Sequence, residues 1–414
     1  MPIPKVVMEN PWMCGACRGI KHLCGESPCP LIKEVSAQVE LSVPKENLVF
    51  GSSPPAAFVG EWGYPRVLAG PLLPNVTGNT SDFDSSQKWL DLPFSTLVTM
   101  RLSLIRAMHP ESVVPEREER KLELMQQIAM SNSPVDAELR LVSPPRTGYS
   151  FSFFTSPMGP AGRLEKVLYV GNPKVPRAVE KAVADRDLRA ADALHLLWSS
   201  GLTSDQLNRL LSVGALGIKR RLVPTRWSIT AVDDSVSKRA LSEVKNFPLI
   251  NNYYVGKSYA LGNRFSVLIL PRRWEFEMLE SWAPFAGCVD TGDVPIPSDY
   301  EGHAGRRGYA KNIAGAYYAA RVPIAEWLLS LRRQGAALVL MEVDSSWLAP
   351  LGVWRVREGV RRAILSAVKQ DGSSVAFESA LRGMITSRRS WIKSSTILQE
   401  LKHYISLDQF TSSI

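Results

Sequence analysis

The sequence predicts a mixed α/β or α+β body, preceded by an N-terminal zinc-binding module of four cysteines and followed by a flexible C-terminal tail. Three observations support this fold class. Four of the five cysteines lie within the first 29 residues. Segments with the period of a strand alternate with segments of helical period through most of the chain. The residues from Ser394 onward are mostly polar, which is typical of a loosely ordered terminus.

Length and charge set the broad class of the protein. A chain of 414 residues is long enough for two or three domains, and 45% hydrophobic with 21% charged residues is typical of globular proteins. The net charge of +9 favours an anionic partner, with nucleic acid as the first candidate. No apolar run approaches the length of about 20 residues that a bilayer requires, and the first residues do not resemble a signal peptide. We therefore expect a soluble, cytoplasmic protein with no membrane partner.

Changes in composition divide the chain into four regions. We expect the cysteine module in residues 1–40 and a mixed region of helices and strands in residues 41–215. An α/β region that carries the candidate site occupies residues 216–393, and the tail occupies residues 394–414.

The cysteine spacing is the strongest chemical signal in the sequence. Cys14, Cys17, Cys24 and Cys29 lie in a short, glycine-containing segment, and four thiolates suit the closed tetrahedral coordination of structural Zn²⁺. An iron–sulfur cluster also uses four cysteines and is the alternative. Because a four-thiolate site leaves no open coordination position, we expect no catalytic function for this metal.

Two segments rich in proline and glycine, residues 44–80 and 143–162, predict loops around short strands. The first contains the aromatic residues Phe58, Trp62 and Tyr64. A long, ordered loop that carries aromatic side chains is more often functional than an ordinary surface loop. The sequence does not indicate what this loop would contact.

The region between these loops has a helical pattern from Ser85 to Met130, clearest from Ser95 to Met108. A strand is predicted from Ala137 to Val142. Two short helices follow, Asp187 to Ser199 and Thr203 to about Leu211, joined through Gly201. Their arrangement is that of a helix-turn-helix, but the second helix offers only Gln206, Asn208 and Arg209 for base reading, so we prefer packing as its function.

The central stretch, Leu222–Asp234, alternates from Arg226 to Val232. Trp227, Ile229 and Ala231 face one way, and Arg226, Ser228 and Thr230 face the other, which predicts a strand with one apolar face. The strand is predicted to end at Asp233 and Asp234, and a helix to follow from Ser235 to Val244.

A polar face with two carboxylates at a strand–helix junction is where α/β proteins often place their sites. We therefore take Asp233, Asp234 and Arg226 as candidate catalytic residues, the two carboxylates holding Mg²⁺ or acting as general bases. Arg226, Ser228 and Thr230 are candidates for binding phosphate. The structural alternative is that one aspartate caps the helix and Arg226 neutralises the other.

The C-terminal half predicts strands at Phe265–Leu270 and Ala336–Val343 and helices at Asn312–Gln334 and Arg355–Lys369, with Gly335 ending the first helix. Glu342 lies in a buried strand and should therefore pair with an arginine. The candidates are Arg321, Arg355 and Arg357, which we also take as phosphate-binding residues. The exposed side of the last helix should carry Arg357, Arg361 and Arg362.

Taken together, these motifs resemble the archaeal Nre DNA repair protein family. The resemblance implies an archaeal protein that acts on damaged DNA and, in many members, a C-terminal peptide that binds the sliding clamp (PCNA). The matching residues are Cys14, Cys17, Cys24 and Cys29, Val59-Gly60-x-x-Gly63-Tyr64-Pro65, Leu222–Asp234, Tyr317-Tyr318-Ala319-Ala320-Arg321, and Leu351-Gly352-Val353-Trp354-Arg355-Val356-Arg357-Glu358.

The clamp-binding peptide of the family follows the pattern Q-x-x-L-x-x-F-F. Tyr404, Leu407, Phe410 and Thr411 occupy the corresponding positions here. The leucine and the first aromatic residue fit the pattern, whereas the glutamine and the second aromatic residue are replaced. The resemblance therefore implies clamp binding that is weaker than that of a complete motif.

Two functional hypotheses follow. The first is a DNA repair factor that associates with DNA and the sliding clamp and has a nucleic-acid- or nucleotide-processing site around Asp233 and Asp234, with metal-dependent phosphoryl-transfer or hydrolytic activity. The alternative is a non-enzymatic, zinc-containing adaptor that binds DNA or RNA. Whether the protein is an enzyme stays open, because the sequence contains no nuclease motif.

Overall fold

The computed structural model describes residues 21–27, 29, 44–114, 120–282, 296–344 and 346–411. The chain forms two compact units. The first comprises Met1–Val236 and Ala349–Trp354, and the second comprises Ser237–Leu348 and Arg355–Ile414. Each unit contains one six-stranded sheet with helices, which confirms the mixed α/β body. The division into four regions stays a prediction.

The first unit is built on a sheet with the strand order β1-β5-β6-β4-β3-β2. Its neighbouring strands are antiparallel except β4 and β6, which are parallel. Two short 3-10 helices, at residues 81–84 and 86–91, precede its first α-helix. The strands are β1 Leu48–Ser53, β2 Ala57–Val59, β3 Arg66–Pro74, β4 Leu104–Ser112, β5 Val135–Leu141 and β6 Ala161–Val170, and the helices are α1 Phe94–Leu102, α2 Arg120–Met130, α3 Arg177–Ala184, α4 Ala190–Ser199 and α5 Ser204–Ser212.

Strand β5 shows how the core of the first unit follows from the sequence. Val135, Ala137, Leu139 and Leu141 alternate with exposed or half-buried residues, so one face of the strand is fully apolar. These side chains pack against residues from β1, β3, β4, β6 and α2 in a single hydrophobic cluster. The strand predicted at Ala137–Val142 is therefore confirmed, with a start two residues earlier.

The predicted helix from Ser95 to Met108 is wrong in its second half. Helix α1 ends at Leu102, and Leu104–Met108 belong to β4. In β4 the side chains of Ile105 and Ala107 enter the core, and the strand lies between β3 and β6. Burial between two strands outweighed the helical spacing of the apolar residues.

Helices α4 and α5 form the helical pair that the sequence predicts. Thr203 caps α5 through a reciprocal capping box with Gln206. The three residues considered for base reading all bond within the chain: Gln206 in the cap, Asn208 with Ser228, and Arg209 with two backbone carbonyl oxygens next to the end of α2, at 2.9 and 2.7 Å. These bonds favour packing as the function of this pair.

The segment predicted as the central strand is wrong, because Thr225–Val244 forms the 20-residue helix α6. Its buried apolar residues, Val232, Val236, Ala240 and Val244, recur every four positions. Trp227 and Ala231, on the supposed apolar face of the strand, are exposed. Asp233 and Asp234 consequently lie inside a helix and not at a strand–helix junction.

The elements from β7 onward form a sheet with the order β10-β9-β11-β8-β7-β12, in which only β9 and β11 are parallel neighbours. Strand β11 has the predicted bounds, Ala336–Val343, and all eight residues are buried. The strands are β7 Tyr253–Ala260, β8 Asn263–Leu270, β9 Phe276–Trp282, β10 Ser298–Glu301, β11 and β12 Val368–Gln370, and the helices are α7 Gly315–Leu331, α8 Trp354–Leu365, α9 Ser373–Leu381, α10 Arg388–Ser394 and α11 Thr396–Thr411.

Two helix ends and the start of the tail differ from the prediction in this unit. The helix predicted at Arg355–Lys369 ends at Leu365, and Val368–Gln370 form strand β12, which pairs with β7. Helix α7 ends at Leu331, because the next residue, Arg332, adopts the left-handed conformation with φ of 51°, so the helix stops before Gly335. The flexible tail does not begin at Ser394, because Ile397, Leu398 and Leu401 of α11 lie in the hydrophobic core. No helix among the described residues combines the length and apolar character required to span a membrane.

Candidate functional site

The first unit contains a cavity of about 350 Å³. This volume falls within the range of about 300–1,000 Å³ that small-molecule sites occupy. Five segments line the cavity: the end of β2 with the loop that follows it, Leu68 of β3, strand β4, residues 150–161, and the start of α6 with Pro224 before it. They bring together residues that lie more than a hundred positions apart in the sequence.

The loop between β2 and β3 forms one wall. The N–H of Gly60 donates to the carbonyl oxygen of Leu68 at 2.8 Å, and the N–H of Arg66 donates to that of Gly63 at 2.8 Å. Gly63 has a φ of 83°, and a Cβ there would lie 2.5 Å from the Arg66 carbonyl oxygen, so glycine is required. This fixed turn presents Trp62, which is 77% exposed, at the cavity.

Three successive residues at the start of α6 hold this loop. The Val59 N–H donates to Oγ1 of Thr225 at 3.0 Å. Nη1 of Arg226 donates to the two carboxylate oxygens of Glu61 at 3.2 and 3.4 Å. The ring of Trp227 lies 5.4 Å from that of Tyr64. The start of α6 and the β2–β3 loop therefore form one rigid surface.

Arg226 also packs on an aromatic ring. Its guanidinium carbon lies 3.9 Å from the centre of the Phe154 ring, a cation–π contact. Phe154 is itself held in place, since its N–H donates to Oγ of Ser152 at 3.1 Å and its carbonyl oxygen accepts from Val353 at 3.2 Å. The Arg226 side chain remains 40% exposed, and its Nε and Nη2 donate no hydrogen bond to any described residue.

A second guanidinium comes from β4. Nε of Arg106 donates to the carbonyl oxygen of Gly159 at 3.1 Å, and its guanidinium carbon lies 5.9 Å from the centre of the Phe58 ring. Burial lowers the pKa of Arg106, but an arginine stays charged at neutral pH. Glu61 supplies the carboxylate, so the charged residues that line the cavity are two cations and one anion.

The arrangement suits a ligand that combines a planar ring with an anion. Aromatic side chains offer flat surfaces for stacking, and fixed guanidinium groups offer N–H donors to acceptor atoms and to negative charge. The Glu61 carboxylate adds an acceptor for ring or amino N–H groups. A cavity with this composition binds by stacking, charge and hydrogen bonding.

The candidate catalytic residues are not brought together. Arg226 lines the cavity, whereas Asp233 is buried, Asp234 is half-buried, and neither is among the residues that line it. Arg226 and Asp233 lie seven residues apart in α6, which corresponds to about 10 Å along the helix. Ser228 is buried and donates to the Thr225 carbonyl oxygen at 3.0 Å, while Thr230 is half-buried.

The other candidate phosphate-binding residues belong to the second unit and are buried in it. Nη1 of Arg321 donates to Glu301 at 2.8 Å, Nη1 of Arg355 donates to Asn263 at 2.6 Å, and Nε of Arg357 donates to Glu358 at 3.3 Å. Phosphate binding by these three arginines stays a prediction.

Two expectations about charges in the second unit are corrected. Glu342 pairs with Arg264 at 3.5 Å and not with the arginines considered, because Arg264 lies directly opposite it on β8. Glu342 also accepts two backbone N–H groups from residues 385 and 386. Arg357 is not on an exposed stripe, since the first seven residues of α8 are all buried.

The remaining predicted sites fall partly outside the described residues. Cys14 and Cys17 lie outside them, whereas Cys24 is half-buried and Cys29 is buried. Among the described residues alone, no group of three or more His, Cys, Asp or Glu side chains is placed to hold a metal ion. Tyr404, Leu407 and Phe410 belong to α11, but their side chains lie outside the described part of the chain.

Sequence reasoning missed most of the residues that form the cavity. It noted the aromatic loop that contains Phe58, Trp62 and Tyr64 without assigning it a function. It assigned no function to Glu61, Arg106 or Phe154. The signal available in the sequence is that three segments, Val59–Pro65, Leu222–Asp234 and Leu351–Trp354, carry motifs of the family. The structure adds that the first, the start of the second, and the third lie in one unit. Their contacts with one another require the fold.

Comparison with known proteins gives consistent matches along the chain. Residues 23–287 match the archaeal Nre N-terminal family, and residues 301–410 match the archaeal Nre C-terminal family. No solved structure matches the chain.

Three relatives illustrate this similarity. The chain is 36% identical to the DNA repair protein NreB of Archaeoglobus fulgidus over 84% of its own length and 87% of the relative. It is also 36% identical to the DNA repair protein NreA of the same organism, over 85% and 88% of the two chains. The DNA repair protein NreA of Haloferax volcanii is 35% identical over 76% and 78%.

Proposed function

This chain belongs to the archaeal Nre family, and we propose that it acts in DNA repair by binding DNA at the cavity of its first unit. Relatives that match most of the chain are DNA repair proteins. The net charge of +9 supports an anionic partner. The observation that carries the proposal is the guanidinium of Arg226, stacked on Phe154 next to the exposed Trp62.

Each part of this surface supports a contact with nucleic acid. The free N–H groups of Arg226 donate to a phosphate or base oxygen, and Phe154 below keeps the guanidinium plane oriented. Trp62 and the Tyr64–Trp227 pair offer flat faces on which bases stack. Stacking contributes about 1–3 kcal/mol per base, enough to make single-stranded DNA the preferred form.

The experiment is a titration of a fluorescent single-stranded oligonucleotide, followed by anisotropy at several salt concentrations. Arg226→Gln should weaken binding about tenfold and lower the slope of log affinity against log salt by about one. Arg177→Gln is the matched control, since it removes the same charge from an exposed position of the same unit outside the cavity. Equal effects of the two substitutions, or no DNA binding by the unaltered protein, would contradict the proposal.

We propose in addition that Cys14, Cys17, Cys24 and Cys29 hold one structural Zn²⁺. The donor set of four closely spaced cysteines supports this metal. The part of the module that the structure describes fits a compact site. The N–H of Gly25 donates to the His22 carbonyl oxygen at 2.8 Å and closes a tight turn around Cys24. The metal would stabilise the module and leave DNA binding to the cavity.

We also propose that the end of α11 binds a sliding clamp through Tyr404, Leu407 and Phe410. The support is the match of Leu407 and Phe410 to the clamp-binding pattern, and their spacing of three residues, which places them on one side of a helix. Calorimetry of the full chain with the purified clamp tests it. Leu407→Ala combined with Phe410→Ala should abolish a micromolar affinity, and unchanged affinity would exclude this peptide.

A phosphoryl-transfer or hydrolytic activity at Asp233 and Asp234 with Mg²⁺ stays a prediction. Non-enzymatic binding is the function that the cavity supports best, because its lining contains a single carboxylate, Glu61, which is already paired with Arg226. Incubation of labelled DNA with the protein and Mg²⁺ would reveal an activity directly as shortened or modified strands.

A further inference from the structure

We infer that the cavity receives one unstacked nucleobase of single-stranded or locally unpaired DNA, with a preference for bases that carry an exocyclic amino group. The inference rests on the proposed DNA-binding function and names the part of the DNA that the site recognises. Its basis is the juxtaposition of the Arg226–Glu61 pair with the aromatic walls of one cavity.

The size and lining of the cavity fit a single base. A volume of about 350 Å³ admits one nucleotide and is too small for a base pair with its two backbones. Phe58, Phe153 and Phe154 provide ring faces, and Met108 and Met158 provide polarisable apolar contacts. A base that enters such a space must leave its stack and give up any pairing partner. The energetic cost is therefore lowest for a base that is already unpaired.

The Arg226–Glu61 pair provides a donor next to an acceptor. Glu61 is 23% exposed, and a carboxylate accepts about four hydrogen bonds, so the two from Arg226 leave capacity for a ligand. Adenine, cytosine and guanine each present an amino donor beside a ring acceptor, and a carboxylate is a good partner for an amino group. Thymine has no amino group, and its one ring donor, N3–H, lies between two carbonyl oxygens that repel the Glu61 carboxylate.

The rim of the cavity suits the neighbouring nucleotides. Tyr64 lies in the loop that carries Trp62, and Trp227 follows Arg226 in α6. The two residues are 50% and 46% exposed, and their rings form a tilted pair. Bases on either side of the inserted base can stack on these rings. The free N–H groups of Arg226 are then placed for the phosphates of the strand.

The experiment compares five single-stranded oligonucleotides of thymidines that differ only at the central position. That position carries adenine, cytosine, guanine, thymine or an abasic site, and affinity is measured by anisotropy. The unaltered protein should bind the three amino-bearing oligonucleotides at least about fivefold more tightly than the thymine one. The abasic oligonucleotide should bind no better than the thymine one, because thymines are the only rings left that can enter the cavity.

Two substitutions with matched controls assign the preference to the cavity. Glu61→Gln should remove the discrimination between amino-bearing bases and thymine, whereas Glu180→Gln, an exposed carboxylate of the same unit, should leave it unchanged. Phe154→Leu should weaken binding of the four oligonucleotides that carry a base at the central position about tenfold. Tyr169→Leu, which alters an exposed aromatic residue outside the cavity, should not.

The outcomes separate this inference from the proposed function. If the protein binds all five oligonucleotides equally and Glu61→Gln changes nothing, base insertion is excluded and DNA binding stands. If it binds none of them, both fail. Calorimetry with free dCMP tests whether the cavity binds a free nucleotide instead of a nucleotide within a DNA strand. A higher affinity for dCMP than for the cytosine oligonucleotide would assign the cavity to free nucleotides and overturn the inference.

Discussion

Arg226 and Arg321 show why an arginine is not a functional signal by itself. Arg321 is 1% exposed and paired with Glu301, so its charge is satisfied within the second unit. Arg226 is paired with Glu61, yet keeps 40% of its side chain exposed and two nitrogens that bond no described residue. Both residues are candidates in the sequence, and only burial and partners distinguish them.

At the scale of single residues, the testable prediction concerns Asp233. It is buried, and a buried carboxylate that loses its charge leaves its partners unsatisfied, so Asp233→Asn should lower the free energy of unfolding by about 1–3 kcal/mol. Asp234→Asn, at the adjacent half-buried position, is the control and should cost less. Melting temperatures of the two variants check this. If Asp233→Asn left the melting temperature unchanged while DNA repair was lost, Asp233 would be functional after all.

At the scale of elements, the sequence predicted best where pattern and environment agree. The continuous apolar run of β11 and the Thr203 capping residue of α5 both led to the observed elements. The run at Arg226–Val232 misled, because two of its three apolar residues, Trp227 and Ala231, are exposed on α6. The buried spacing of four becomes visible only when the window extends to Val244.

The candidate site could be predicted only in part for a related reason. Glu61 and Arg226 lie 165 residues apart, and no local pattern joins them. The aromatic loop was recognisable as unusual because Phe58, Trp62 and Tyr64 stand among glycines and prolines. Its partners depend on the placement of α6 beside the β2–β3 loop, which is a property of the tertiary fold.

At the scale of structural elements, the testable prediction concerns the cysteine module. If the four cysteines hold structural Zn²⁺, metal analysis of the protein should find about one zinc per chain, and Cys24→Ser should lose it. The body should keep its melting transition, because its two sheets have cores of their own. Cys288, the fifth cysteine, supplies the control substitution. Iron with visible absorbance in place of zinc would indicate an iron–sulfur cluster.

For the whole molecule, the two units divide the motifs that mark the family. The Val59–Pro65 motif, the start of the Leu222–Asp234 motif and the Leu351–Trp354 segment lie in the first unit, where residues of each contact the cavity or the residues that line it. The Tyr317–Arg321 motif lies in the second unit, where its Arg321 forms a buried ion pair with Glu301. The motifs of the first unit are therefore those on which the proposed binding depends, and that of the second lies in a buried structural contact.

The most direct test of the DNA-binding cavity is ultraviolet cross-linking of the unaltered protein to a single-stranded oligonucleotide, with the attached peptides identified by mass spectrometry. Aromatic residues in stacking contact with bases cross-link efficiently, so we expect the attached nucleotides on peptides that contain Trp62, Phe154 or Trp227. Cross-links confined to peptides of the second unit, with none on these three, would contradict the proposal that DNA binds at this cavity.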